Sequence, residues 1–150
     1  MDAVTYPNSE VIRFVNGHFV PLQVAFDAQP LATEYTIKWT PALLTLGPDG
    51  REHHRTVGFL NPEELIASLL LGMGKYHFDY DRLPEALAAF ATVIADYPGT
   101  DSVPEAIYLA GVSRFKKEHN RAFLKEVYER LAKDYPGNMW TRRASPYRLI

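Results

Sequence analysis

The spacing of apolar residues changes about halfway along the chain and divides the sequence in two. The first half mixes periods. Val11, Ile12, Phe14 and Val15 recur at helical spacing. Asn8 or Ser9 before them can cap that helix by accepting bonds from its free N–H groups, and Asn16-Gly17 ends it. Phe19-Val20-Pro21-Leu22-Gln23-Val24 predicts a short buried strand, with Pro21 making the pairing irregular on one side. Pro30 opens a short helix through Ala32 and Tyr35 toward Ile37. Pro41 to Leu46 predicts a second strand, Gly47-Pro48-Asp49-Gly50 a turn, and Arg51 to Val57 a polar returning strand, together a hairpin. Asn61-Pro62-Glu63-Glu64 starts a helix with a cap, a proline at the first position and acids facing the helix dipole. Leu65, Ile66, Leu69, Leu70 and Met73 give that helix its apolar face.

The second half reads as helix throughout. Pro84 to Asp96 carries Leu87, Phe90, Ala91 and Ile94; Pro104 to Lys117 carries Ile107, Tyr108 and Val112. Asn120 caps a third helix with Phe123, Leu124, Val127, Tyr128 and Leu131, and a short one from Met139 to Tyr147 closes the chain. Asp96-Tyr97-Pro98-Gly99 returns 38 residues later as Asp134-Tyr135-Pro136-Gly137. Gly74 precedes Phe90 by 16 residues and Pro98 by 24; Gly111 precedes Tyr128 by 17 and Pro136 by 25. A glycine that lets two helices approach, a plug at Phe90 or Tyr128 and a terminating proline resemble tetratricopeptide repeats. Leu70 and Ile107 depart from that pattern, standing where the family has bulky aromatics. Gly74 lies in the helix that starts at Pro62, so the two halves are expected to share it.

Composition then narrows the function. The chain has 150 residues, 47% of them apolar, and a net charge of −2, where a general nucleic-acid binder is much more basic. Residues 1–74 hold 4 basic and 8 acidic side chains, and residues 75–150 hold 12 and 10. There is no cysteine, which removes disulfides, thiolate metal sites and cysteine catalysis from this chain. The longest apolar run, Leu65 to Met73, is too short to span a bilayer. Met1 to Pro7 lacks the features of a signal peptide, so the expected location is cytoplasmic, with no membrane and no nucleic acid among the partners.

Several segments of the first half resemble the thioredoxin fold. They are Tyr35-Thr36-Ile37-Lys38-Trp39-Thr40-Pro41-Ala42-Leu43-Leu44-Thr45-Leu46, Pro48-Asp49-Gly50-Arg51-Glu52, Val57-Gly58-Phe59 and Pro62-Glu63-Glu64-Leu65. In that family the run is a helix, a loop with a cis-proline, a hairpin and the final helix, and Pro41 falls at the cis-proline. Met1 to Tyr6, Glu10 to Asn16 and Phe19 to Val24 are similar to the segment just after the redox motif in bacterial thioredoxin-like proteins. The implied fold class is α/β (α+β): an incomplete thioredoxin-like domain over 1–75 and a tetratricopeptide-like helical extension over 76–150. The family's Cys-x-x-Cys and the strand before it have no counterpart, and disulfide exchange needs sulfur attacking sulfur. Two expectations compete: a non-catalytic binding or assembly module, or the C-terminal portion of a thiol–disulfide oxidoreductase whose cysteines lie upstream of Met1. In the family the absent strand lies between those matched by Phe19–Val24 and Pro41–Leu46, so a homodimer through the unfilled position is also expected.

The resemblance implies one candidate site, Trp39-Thr40-Pro41. There the family's backbone pairs with an extended peptide, a form of strand addition. Thr40 would offer the backbone groups and Trp39 an aromatic wall; the alternative is loop geometry of the fold with no ligand. Other candidates point to no chemistry. His53 and His54 are neighbours on a strand, so they are expected on opposite faces, unable to share a metal, in solvated or packing roles. His18, His77 and His119 lack ligand spacing, and neither a metal nor a cofactor is expected. Glu63-Glu64 fits a helix start and Asp79 with Asp81 a loop. Arg114, Lys116, Lys117, Arg121 and Lys125 read as a solvated face, with docking of an acidic protein partner as the alternative. Trp140 is expected to pack the last helix.

Overall fold

A computed structural model describes all 150 residues. It is a mixed α+β structure of seven α-helices and one two-stranded antiparallel sheet. Helix α1 (Ser9–His18) is capped by Asn8, whose Oδ1 accepts from the N–H groups of Glu10 at 2.9 Å and Val11 at 3.2 Å. It runs one residue past Gly17, and Ile12 faces solvent while Val11, Phe14 and Val15 pack inward. One turn of helix, α2 (Leu31–Glu34), precedes strands β1 (Ala42–Leu46) and β2 (Glu52–Val57).

The strand expected over Phe19–Val24 does not form. Val20 to Val24 make no backbone–backbone hydrogen bond and lie bare to solvent, Val20 at 96% and Leu22 at 77% exposure. Apolar alternation makes a strand only where a neighbouring ladder exists, and β1 has one neighbour, β2. The segment therefore stays unpaired.

Helix α3 (Pro62–Asp79) is the axis of the molecule. Asn61 and Glu64 form a reciprocal capping box: Asn61 Oδ1 accepts from the Glu64 N–H at 3.0 Å, and Glu64 accepts from the Asn61 N–H at 3.1 Å. One face of α3 packs on β1 and β2 and the opposite face on α4 (Leu83–Asp96), and α1 also packs on α3. Two glycines make this possible. A Cβ on Gly72 would lie 2.5 Å from Thr45 Oγ1 of β1, and a Cβ on Gly74 would lie 2.3 Å from the Phe90 ring of α4. Two residues apart on a helix is about 200°, so one glycine seats the sheet and the other the first hairpin.

The chain continues through α5 (Val103–Glu118), α6 (Ala122–Asp134), α7 (Met139–Ala144) and a closing 3₁₀ turn (Ser145–Leu149), each packed on its predecessor. The repeated Asp-Tyr-Pro-Gly segments end their helices identically: the Tyr97 N–H bonds the Val93 carbonyl, and the Tyr135 N–H the Leu131 carbonyl. The plug against Gly111 is Val127, whose Cγ2 would meet a Cβ there at 1.9 Å, and not Tyr128. Gly111 to Val127 spans 16 residues, the same as Gly74 to Phe90. Counting from the prolines, which are 38 apart where the glycines are 37 apart, shifts the assignment by one residue. A continuous apolar core runs from Val11 through Leu65, Phe90 and Ile107 to Leu131 and Ala144. No helix is long and apolar enough to cross a membrane.

Candidate functional site

Trp39, Thr40 and Pro41 form the bend that leads into β1. The Thr40–Pro41 peptide is cis, as expected at that position. The Pro41 carbonyl accepts from the Gly58 N–H at 2.9 Å, which ties the entry of β1 to the exit of β2. Upstream, Arg55 holds the loop: its Nη2 donates to the Tyr35 carbonyl at 2.5 Å and to Glu52 at 2.6 Å. That guanidinium holds the Glu52 carboxyl below the usual carboxylate range. Tyr35 in turn donates from its hydroxyl to the Gly50 carbonyl in the hairpin turn at 2.9 Å. The loop is thus fixed at both ends, while Trp39 projects into solvent, 77% exposed. Ala42 to Leu46 pair with β2 on one side and with no strand on the other. The geometry brings together an exposed indole, the exposed residue Thr40 and an open, uncharged strand edge.

The two histidines of β2 depart from the expected alternation. Leu46 pairs with Glu52 and Thr45 with His54, so His53 is the extra residue of a β-bulge. The bulge re-aims the strand, and both imidazoles reach α3. His53 is fully enclosed, its Nδ1 2.6 Å from Asp79 Oδ2 and its ring against Tyr76 and Tyr80; Nε2 has no partner. Asp79 is therefore the last residue of α3 and a partner of the strand, not part of a loop. Asp81 does lie in the turn, where it accepts from Lys116 at 2.7 Å. Tyr80 donates to Asp49 Oδ2 at 2.8 Å; that bond and the Arg51 N–H hold the Asp49 carboxyl below its ordinary value.

His54 sits in a chain of polar contacts. Lys75 Nζ lies 3.3 Å from His54 Nδ1, and His54 Nε2 lies 3.0 Å from Ser68 Oγ, itself 2.7 Å from Thr56 Oγ1. An ammonium can only donate, so Nδ1 accepts and Nε2–H donates to Ser68. An imidazole in that tautomer cannot take the proton of Ser68, and Ser68 is buried, so the pair is not a nucleophile with its base. Burial first, and the Lys75 charge second, push the His54 pKa down to about 4. Lys75 also bonds Glu105 of α5 at 2.9 Å, so the network joins the sheet to the helical half.

A hollow of about 440 Å³ lies where α3, α5 and α7 face one another, lined by Lys75, Asp79, Glu105, Trp140 and Arg143 among others. Trp140 packs against Tyr108 with a ring separation of 5.2 Å, and the Arg143 guanidinium lies over the indole at 4.5 Å. No group of three or more His, Asp and Glu side chains is arranged to hold a metal ion. Of the basic stretch, Arg114 pairs with Glu126 and Lys116 with Asp81. No protein-family model, curated protein or solved structure matches this chain.

Proposed function

We propose that the chain is a non-catalytic, thioredoxin-like protein-binding module joined through α3 to a tetratricopeptide-like extension. Its binding edge is β1, entered at Trp39-Thr40-Pro41. The observation that carries this reading is the asymmetry of the sheet. The β2 strand bears an ion pair, Glu52 with Arg55, and a bulge, both of which discourage a further strand. The β1 strand bears neither: Ala42, Leu43, Leu44, Thr45 and Leu46 are uncharged, and their ladder is open on one side. An extended segment of another protein can add there through main-chain bonds, with Trp39 covering its side chains. The order of elements around this edge supports the thioredoxin-like reading, and the Gly74–Phe90 and Gly111–Val127 contacts support the tetratricopeptide-like one. The absence of cysteine removes disulfide exchange from the chain's own chemistry.

The test uses a fluorescently labelled, permanently unfolded polypeptide and measures its anisotropy with the full chain. Trp39→Ala is expected to weaken binding tenfold or more, while Trp140→Phe leaves it unchanged. Equal binding by wild type and Trp39→Ala, or none by either at concentrations where light scattering shows a single chain, rejects the reading.

A second reading is favoured by the bare Val20 and Leu22: the sheet position beside β1 belongs to a strand encoded upstream, in a thiol–disulfide oxidoreductase of which this chain is the C-terminal portion. Its test is the DNA before the Met1 codon. An in-frame strand followed by Trp and two cysteines establishes it; an in-frame stop rejects it.

A further inference from the structure

Resting on the reading of β1 as an acceptor edge, we infer that its partner is a second copy of this chain, which donates Val20–Phe26. The chain carries both halves of an unmade ladder. On one side is β1, open along its outer edge. On the other is a segment in no helix or strand, running from Phe19, at φ −133° and ψ 161°, to the turn at Phe26, in which Val20 to Val24 make no backbone–backbone bond. Its apolar residues Val20, Leu22, Val24 and Phe26 fall at every second position, the spacing that puts them on one face of a strand. All four are exposed in the single protomer, Phe26 at 69%. An apolar row of this kind is costly to leave in water and is explained once it is covered.

The two segments suit each other. Neither Phe19 to Phe26 nor Ala42 to Leu46 contains a charged residue, so no like charges meet and no ion is desolvated. Pro21 lacks an N–H, which an outermost strand tolerates on the side facing away from its neighbour. The segment makes no backbone bond to β1 of its own chain. Two copies related by a two-fold axis would each donate and accept once. The exchange then closes at the dimer and does not propagate.

Light scattering on the full chain from about 1 to about 100 µM is expected to show twice the 17.0 kDa chain mass at the upper end. Val20→Lys combined with Leu22→Lys is expected to return the mass to a single chain with unchanged helical circular dichroism, because both side chains are exposed in the protomer. Amides of Leu43 to Leu46 should exchange at least tenfold more slowly in the wild-type dimer than in that variant. A wild type that remains a single chain at 100 µM overturns the inference. So does a dimer that survives both lysines, or one whose β1 amides gain no protection. A single chain that still binds the unfolded polypeptide in a Trp39-dependent way rejects self-pairing and leaves β1 a binding edge, so the two failures are distinguishable.

Discussion

The residues before α3 and those from α3 onward are built on different terms. Before Pro62 one apolar side chain is buried, Val11, with Thr5, Thr45 and His53 as the buried polar ones. From Leu65 onward the core includes Leu65, Ile66, Leu71, Phe90, Val93, Ile107, Val127 and Leu131. In the helical half, helices meet directly, with glycine on one and a side chain plugged against it on the next. In the first half Val11, Phe14, Val15 and Leu43 also reach the core, and polar ties stand beside them: Thr5 Oγ1 to the Leu60 carbonyl just before α3 at 2.6 Å, and His53 to Asp79 and His54 to Ser68 on α3 itself. The difference teaches that the first half leans on α3 for its order and leaves apolar residues of its own, Val20, Leu22, Val24, Phe26 and Trp39, in solvent.

The sharpest way to break this comparison is to remove one aromatic side chain from each region. Phe90→Ala should cost about 3–5 kcal/mol, because a fully buried ring leaves a cavity. Phe59→Ser, at an exposed position before α3, should stay within about 0.5 kcal/mol. Equal shifts in denaturant midpoint would show that the two regions are built on the same terms.

Acid should act on the polar ties. The His54 pKa is lowered from 6.5 to about 4 in the folded chain, so the unfolded chain takes up the proton first as pH falls. The stability linked to neutral His54 is present above pH 6.5 and is lost between 6.5 and about 4, an effect of about 3 kcal/mol. His54→Gln, which titrates in neither state, should lose less stability over that window; parallel pH profiles for the two proteins would refute this.

Gly111→Ala should destabilise by about 2 kcal/mol, since the added Cβ meets Val127 Cγ2 at 1.9 Å and the gain in helix propensity is smaller. Combining it with Val127→Ala should cost less than the sum of the two single changes, as a double-mutant cycle in thermal melts would read. The smallest effect belongs to the capping box: Asn61→Ala should cost about 1 kcal/mol, seen as faster amide exchange in the first turn of α3.

Much of the fold was legible from local rules. Asn8, Asn61 and Asn138 each accept from an N–H in the first turn of a helix, and the hairpin, the shared helix and the repeated helix ends follow the residue pattern. The Trp39–Thr40–Pro41 bend also lies where it was expected, beside β1. The polar network was not legible. The His53–His54 pair reads as alternating until the bulge is known, and a bulge depends on the register between two strands. Lys75, Glu105 and Asp79 reach the sheet only through the packing angles of α3 and α5.

By itself the sequence determined the helices, their caps and ends, and the absence of any sulfur nucleophile, because those depend on neighbours a few residues away or on composition. Tertiary structure alone decided that Phe19–Val24 stays unpaired, that Val127 and not Tyr128 fills the second glycine notch, and that two adjacent histidines face one helix. Each of these rests on which distant element arrives alongside, and spacing along the chain does not encode that distance.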